Sequence, residues 1–451
     1  MTKNHKHTHA QWGSRVGFIL AAVGSAVGLG NIWKFPYMLG KSGGSAFMFT
    51  YLACILLIGL PILVAEWMIG RRGQRNPVDT MKIVAEQNGR SQAWSWVGIS
   101  GTLGGYLILS FYSVIGGWAV NYIFKAGSGA FAGLNGDQTG AIFESMLADP
   151  STLLLWHTVF MGLTIAIVAA GVAGGLERAS KIMMPMLALF LGILVVYGMN
   201  TGHFGKAVSF LFSPDWSAIN KDVILAALGH AFFTLSLGMG IMLAYGSYLG
   251  KEVSLIRSAA IVVALDTTMA VLAGLAIFPI VFANGLDPAA GPGLVFVTLP
   301  IAFGSMSGGT ILGLIFFLLL SFAALTSSIS LLESAVEFLE ERTPLGRVGS
   351  TLLAGVVVWA LGIASVLSFN LWSEVKFFGL NIFDLLDTFT SKFTLPLTGL
   401  AAIIFLGWFM KQDSIREELN MGEGRFKIWQ FIYRVIAPIG VIIVFVGQLM
   451  G

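Results

Sequence analysis

Charge and cysteine are what this chain has least of. Only 11% of its 451 residues are Asp, Glu, Lys or Arg, against about a quarter in soluble chains. Hydrophobic residues make up 56%, and the mean hydropathy is +0.82. A water-soluble fold of this length could not cover its surface with so little polar material, so the composition reads as a polytopic membrane protein. The single cysteine, Cys54, lies mid-span and excludes an intrachain disulfide framework or a cysteine metal site. No nucleophile–base pair, metal-ligand cluster or phosphate-binding glycine loop stands out, and no enzyme is expected. His5, His7 and His9 read as part of a polar tail. The net charge of +3 is scattered, which points to no nucleic-acid partner. The first residues lack a basic segment, apolar core and cleavage site in signal-peptide order, so the first apolar run reads as a retained span.

About 20 apolar residues cross a bilayer. Runs of that kind stand near 12–36, 44–70, 94–125, 153–171, 178–200, 222–248, 254–284, 309–341, 347–368, 384–410 and 428–450. The sequence thus predicts an all-α fold of eleven spans, bounded by lipid. Residues 1–11, together with the loops and span ends on the same side, hold 19 of the 26 lysines and arginines. Positive loops stay inside. The expectation is a multi-pass protein of the plasma (inner) membrane, N-terminus cytoplasmic and C-terminus extracellular or periplasmic. Segments 126–152, 201–221 and 285–308, on the outer side, are long enough to form caps or lids.

Two of the spans carry glycine where a continuous helix tolerates it least. The first contains Gly24-Ser25-Ala26-Val27-Gly28-Leu29-Gly30-Asn31, and the sixth Phe233-Thr234-Leu235-Ser236-Leu237-Gly238-Met239-Gly240. Each glycine costs about 1 kcal/mol in a helix interior. Small residues also let membrane helices pack closely, but a packing face needs helical spacing, not a consecutive cluster. Both segments therefore read as unwound, which inside a membrane is tolerated only against protein or a polar cavity. Broken spans in corresponding positions point to a secondary transporter's binding site. Spans one to five and six to ten would be repeats of opposite orientation, since five is odd. The layout is then a tail (1–11), a first repeat (12–200), an inverted second repeat (201–410), and a loop with an eleventh helix (411–451).

The same stretches carry a family resemblance. Trp12-Gly-Ser-Arg15 followed by Gly24 to Pro36 resembles the first helix of the neurotransmitter:sodium symporter family. Ser42-Gly-Gly-Ser-Ala-Phe with Tyr51, Pro61 and Glu66-Trp67 resembles its second, Phe233-Thr234-Leu-Ser236-Leu-Gly its sixth, and Ala323-Ala-Leu-Thr326-Ser327-Ser328 its eighth. The likeness runs from residue 12 to about 450, in the expected order. It implies the inverted-repeat fold of the eleven-helix bacterial amino-acid members, and sodium-coupled, alternating-access import of a small solute by a monomer or homodimer.

The resemblance implies two sodium sites. One would use the carbonyls of Gly24, Val27 and Ala323 with the hydroxyls of Thr326 and Ser327; alone, those hydroxyls read as bonds back to their own helix. The other would use the Ala26 carbonyl, Asn31, Thr234, the substrate carboxylate and Asp266, where many relatives carry Asn. A carboxylate within a span is costly and by default functional. Asp266 would supply the negative charge that other members take from chloride, making transport chloride-independent, and it is a candidate for proton return. For the substrate, the amides of Leu29 and Gly30 and the Tyr112 hydroxyl would hold a carboxylate. The carbonyls of Ala26, Phe233 and Thr234 with the Ser236 hydroxyl would hold an ammonium. Ser25, Ile108, Phe233, Met239, Ala323, Ser327 and Leu331 would line a side-chain pocket without charge, which fits neutral, mostly hydrophobic L-amino acids. Monoamine members place Asp where this chain has Gly28, which leaves room for the substrate's own carboxylate.

Gate residues follow from the same likeness. Lys34 stands where Arg is usual and would pair with Asp387, with Phe233 and Tyr112 closing the pocket below. On the inner side His9 and Glu341 occupy the positions of an Arg–Asp pair, with Arg15 or Lys6 as substitute cations. His230 stands where Gln is common and reads as a satisfied structural histidine. Glu66 and Glu333 would bind free amides at the breaks. A small osmolyte (glycine, betaine or taurine) is the alternative cargo, and a sodium-dependent sensor the alternative role. A channel would need a ring of ligands from several chains.

Overall fold

A computed structural model describes residues 11–289 and 293–449 of the chain; the tail positions Lys6 and His9 lie outside the described residues. Among those described, the chain is helical almost throughout, and the one β-element is an isolated bridge between Phe377 and Leu380. Among the described residues nine helices are long and apolar enough to cross a membrane: Ser45–Gly73, Gln92–Gly127, Pro150–Ala169, Val172–Met199, Leu255–Ala283, Gly309–Arg342, Gly346–Leu367, Ile382–Phe409 and Glu423–Gly447. The expected first and sixth spans are the broken ones. Arg15–Ala26 and Gly30–Lys41 meet at 44°. Lys221–Thr234 and Ile241–Ser247 are separated by residues 235–240. "Near side" below means the face where Arg15 begins the first span, and "far side" the face where that span ends at Lys41.

Local chemistry sets where the spans start. The fourth begins at Pro150, three residues before the expected point, because Asp149 caps it by accepting a hydrogen bond of 2.9 Å from the Ser151 amide. The fifth begins at Val172, not 178, despite its two glycines. A Cβ on Gly175 would stand 2.0 Å from the Ile167 carbonyl, so glycine there permits a tight entry and does not end the helix.

The third span is the most deeply buried, and the eighth packs along it. The fourth, fifth and eleventh spans are the least buried, with large apolar side chains such as Leu155, Leu189 and Ile443 exposed as lipid contact demands. The three long far-side segments each hold a helix: Gly136–Ala148, Phe204–Phe212 and Leu294–Ser305. The first and last of these segments are packed together, the Gly133 amide donating to the Gly304 carbonyl at 3.0 Å.

Close helix contact holds the sixth span's second half in place. A Cβ on Gly70 would stand 2.1 Å from the Leu243 carbonyl, and one on Gly246 2.6 Å from the Trp67 carbonyl. Helices approach this closely only through glycine.

Candidate functional site

The two breaks face each other across the middle of the molecule. In the first, Val27 leaves helical geometry at φ −79°, ψ 89°. In the second, Ser236, Gly238 and Gly240 have φ of 54°, 72° and 74°. Gly238 and Gly240 take this region freely, whereas a side chain at Gly238 would also meet the Leu395 carbonyl at 2.4 Å. Ser236 is held there by its hydroxyl, which donates to the Ser25 carbonyl at 3.0 Å and accepts from the Ser25 hydroxyl at 3.1 Å. The buried Glu66 carboxylate accepts from the Gly238 amide at 2.8 Å, so one of the backbone donors freed by the break is satisfied, as expected. Glu333 behaves otherwise. It accepts from the Tyr248 hydroxyl at 2.8 Å and pairs with Arg347, because that cation reaches it from the start of the next span.

A fully buried polar cluster forms on one flank of the breaks. The Asn31 amide donates to the Asp266 carboxylate at 2.9 Å and to the Asp266 carbonyl at 3.0 Å. The Thr234 hydroxyl lies 3.1 Å from the Asn31 Oδ1 and 3.0 Å from the Asp266 Oδ1. The Tyr51 hydroxyl donates to the other Asp266 oxygen at 3.1 Å. Tyr51 belongs to the second-span motif read from the sequence, but its role as a partner of Asp266 was missed there. Asn31, Thr234 and Asp266, separated by more than 200 residues at the extremes, are thus brought together as the resemblance implied.

On the other flank, Ser327 Oγ bonds to the Ser25 carbonyl at 3.1 Å and approaches the Gly24 carbonyl at 3.4 Å. Thr326 Oγ1 bonds back to its own helix, to Ala323 O at 3.0 Å and Phe322 O at 3.1 Å. A Cβ on Gly24 would lie 3.3 Å from the Thr326 side chain. The oxygens of Gly24, Ala323, Thr326 and Ser327 therefore converge where the first and eighth spans touch.

Between the two clusters lies a cavity of about 20 Å³. Its lining is Ser25, Ala26, Gly28, Gly30, Ile108, Tyr112, Phe233, Ser236, Met239, Ser327 and Leu331, so nearly every expected pocket residue is present. Leu29, Thr234 and Ala323 do not line it. The Leu29 amide reaches it indirectly by donating to the Tyr112 hydroxyl at 3.2 Å, and Thr234 belongs to the Asp266 cluster. A Cβ on Gly28 would stand 2.2 Å from Ser327 Oγ and 2.9 Å from the Tyr112 hydroxyl. Gly105 was not singled out by sequence, yet a Cβ there would meet the Met239 carbonyl at 2.8 Å. Among the described residues no carboxylate or cation lines this cavity.

Of the paired gate residues, Lys34, Asp387 and Glu341 lie among those described. Lys34 Nζ lies 3.8 Å from Asp387 Oδ1 and 4.5 Å from the centre of the Phe233 ring. That single contact is what an ammonium can offer in place of a bidentate guanidinium. On the near side Glu341 accepts from the Asn76 side chain at 2.6 Å and its amide at 3.0 Å, with Arg75 4.0 Å away. Arg15 is exposed. His230 is fully buried against Phe35, Phe47 and Tyr51, and neither ring nitrogen bonds to a protein group among the described residues.

The model of the sodium:neurotransmitter symporter family matches residues 9–133 and 143–451. The chain belongs to that family. An uncharacterised sodium-dependent transporter of Bacillus subtilis is 40% identical over 441 residues, 97% of each chain. One of Haemophilus influenzae is 34% identical over the whole of both. Among solved structures, that of MhsT in complex with L-phenylalanine is 46% identical, with a TM-score of 0.90, covering 97% of this chain and 99% of that one. The protein is therefore an integral membrane, sodium-dependent symporter and not an enzyme. Its oxygen clusters suit the symporter's ion, since hard cations take carbonyl, hydroxyl and carboxylate oxygens. Among the described residues no group of three His, Cys, Asp or Glu could hold a metal.

Proposed function

We propose that this symporter imports neutral, mostly hydrophobic L-amino acids together with two sodium ions, by alternating access and without chloride. The observation that carries the reading is the wall of the central cavity: Ile108, Phe233, Met239 and Leu331 give it apolar sides, and no charged side chain enters it. Gly28 supports an amino acid over a simple amine, because the space a side chain would fill there lies against Tyr112 and Ser327. The substrate carboxylate would sit toward the Leu29 and Gly30 amides and Tyr112. The ammonium would sit toward the carbonyls of Ala26, Phe233 and Thr234 and the Ser236 hydroxyl. One sodium would take Ala26, Asn31, Thr234, Asp266 and the substrate carboxylate; the other Gly24, Val27, Ala323, Thr326 and Ser327. Asp266 carries the fixed negative charge that lets two cations and a zwitterion share the site without chloride.

The same reading makes residues 12–200 and 201–410 inverted repeats, with the near side cytoplasmic by its excess of lysine and arginine. Lys34, Asp387, Phe233 and Tyr112 gate the outer path. On the inner path Glu341 acts through Asn76 and Arg75.

A cavity of about 20 Å³ holds roughly one water, so any amino acid must part the wall on entry. That small volume favours the competing cargo, a small osmolyte such as glycine, betaine or taurine. Uptake of labelled solutes into proteoliposomes, with an inward sodium gradient against potassium alone, separates the two. Sodium-driven uptake of Leu, Met, Phe or Trp supports the proposal. Uptake confined to glycine, betaine or taurine, or binding with no uptake, overturns it.

A further inference from the structure

The loop between the ninth and tenth spans lies on the far side, and its base is pinned to the protein. The Phe369 ring packs on Trp118 of the third span and on Phe383 of the tenth. The Asn370 side chain donates to the Leu147 carbonyl at 2.9 Å. Beyond that base the chain turns apolar side chains outward. Residues 371–379 are all exposed, and Leu371, Trp372, Val375, Phe377 and Phe378 are among them. Phe378 is 97% exposed. The segment is held in shape by its own backbone: the Trp372 amide donates to the Leu367 carbonyl at 2.8 Å, and Phe377 and Leu380 exchange amide-to-carbonyl bonds of 2.8 and 3.0 Å. Phe378 and Gly379 are the central residues of that turn, with φ of 54° and 80°. Turns of this hand take Asn-Gly or Gly-Gly, because a residue with a Cβ is strained in the left-handed region. In a watery loop an asparagine at this position would ease the backbone and remove an exposed ring at once. Phenylalanine here is disfavoured twice unless something apolar covers the ring.

The place of the loop along the chain says what covers it. The ninth span, Gly346–Leu367, has 22 residues. That is about 33 Å of helix, close to the ~30 Å hydrocarbon core of a bilayer. The whole span is used up in the crossing, so the loop begins where the hydrocarbon ends. No charged residue occurs from Val348 to Ser373, and Glu374 and Lys376 are the only charges in residues 371–380. Leu353, Val357 and Leu361 are exposed on that span at helical spacing, so the loop follows directly on a helix face that meets acyl chains. Tryptophan is enriched at the membrane–water interface, where its ring is half in apolar surroundings.

We propose that residues 371–378 are an interfacial anchor, seated with Trp372, Phe377 and Phe378 in the boundary between headgroups and acyl chains of the far leaflet. The partner is a lipid surface and not a particular headgroup. The anchor stands at the entry to the tenth span, whose first helix, Ile382–Phe389, carries Asp387. The inference rests on the chain spanning a membrane and not on which solute it carries.

The test is fluorescence quenching on the full-length protein in phosphatidylcholine nanodiscs, where both faces are open to solvent. Cys54 is the only cysteine, so a Cys54→Ser background with Phe378→Cys takes one bimane label. Two quenchers are compared: a phospholipid with a nitroxide near the head of its acyl chain, and aqueous iodide. The label at residue 378 should lose most of its fluorescence to the nitroxide lipid and little to iodide. Leu371→Cys, at the other end of the segment, should behave in the same way. Glu144→Cys, on an exposed face of the far-side helix Gly136–Ala148, should show the reverse. Quenching of residues 371 and 378 by iodide and not by the nitroxide lipid overturns the proposal, since the loop then stands in water. Protection from both quenchers also overturns it, because protein, such as a second copy of the chain, would then cover the loop. Equal nitroxide quenching at residues 144 and 378 overturns it as well. Solute uptake plays no part in the readout, so a wrong cargo assignment leaves the result interpretable.

Discussion

Gly28 and Asp266 are the two residues on which the chemistry turns. A methyl group at residue 28 has to push Ser327 and Tyr112 apart, and overpacking of this kind costs about 1–3 kcal/mol. Gly28→Ala should therefore weaken sodium-dependent binding of a labelled hydrophobic amino acid by about tenfold and lower the thermal midpoint in detergent. Unchanged affinity would mean that the carboxylate sits elsewhere. Asp266 receives hydrogen bonds from Asn31 and Tyr51 and lies beside the Thr234 hydroxyl. Asn at this position keeps the shape and removes the charge. Asp266→Asn should make uptake chloride-sensitive or abolish it; full uptake in chloride-free gluconate would sink the charge-replacement idea. Most of this site was legible in the chain because its parts lie in two dense runs of Gly, Ser, Thr and Asn. The parts played by Tyr51 and Gly105 were not, because each depends on a neighbour far away in sequence. Glu333 misled for the same reason: nothing local shows that Arg347 folds back onto it.

At the scale of elements, the second break is a stretch of backbone that a buried carboxylate helps to hold. Glu66 projects from the second span and accepts from the Gly238 amide. Glu66→Ala leaves that amide without its partner, at about 1–3 kcal/mol, and should lower both the thermal midpoint and sodium-dependent substrate binding. Glu66→Gln keeps an acceptor oxygen and should lose clearly less on both measures. If the two variants behave alike, the carboxylate's charge rather than its hydrogen bond matters here. The spans themselves were plain from length and hydropathy. Their starts were harder, because a cap such as Asp149 or a tight glycine entry such as Gly175 is a matter of a few atoms. The helices within the long far-side segments, such as Phe204–Phe212, are too short to announce themselves by length.

Across the whole molecule the two faces differ. On the near side the start of the first span is strapped down. The Trp12 indole donates to the Tyr245 carbonyl at 3.1 Å, tying it to the sixth span. Glu177 of the fifth span, itself buried, accepts from the Gly13 amide at 2.7 Å and the Ser14 hydroxyl at 2.8 Å. On the far side cavities of about 330 and 580 Å³ stand open. On the proposed alternating-access reading, these straps would hold the near side closed and would release when that side opens. Glu177 is placed to set the balance, since each hydrogen bond to its charge is worth about 1.5–3 kcal/mol. Glu177→Ala should favour near-side opening, with amide exchange over residues 12–18 about tenfold faster. Lys181→Ala removes only the ammonium 2.6 Å from the same carboxylate and leaves both strap bonds in place, so its exchange should stay near that of the wild type. Equal acceleration in both variants would mean that the Lys181–Glu177 pair, and not the grip on Gly13 and Ser14, keeps this face closed.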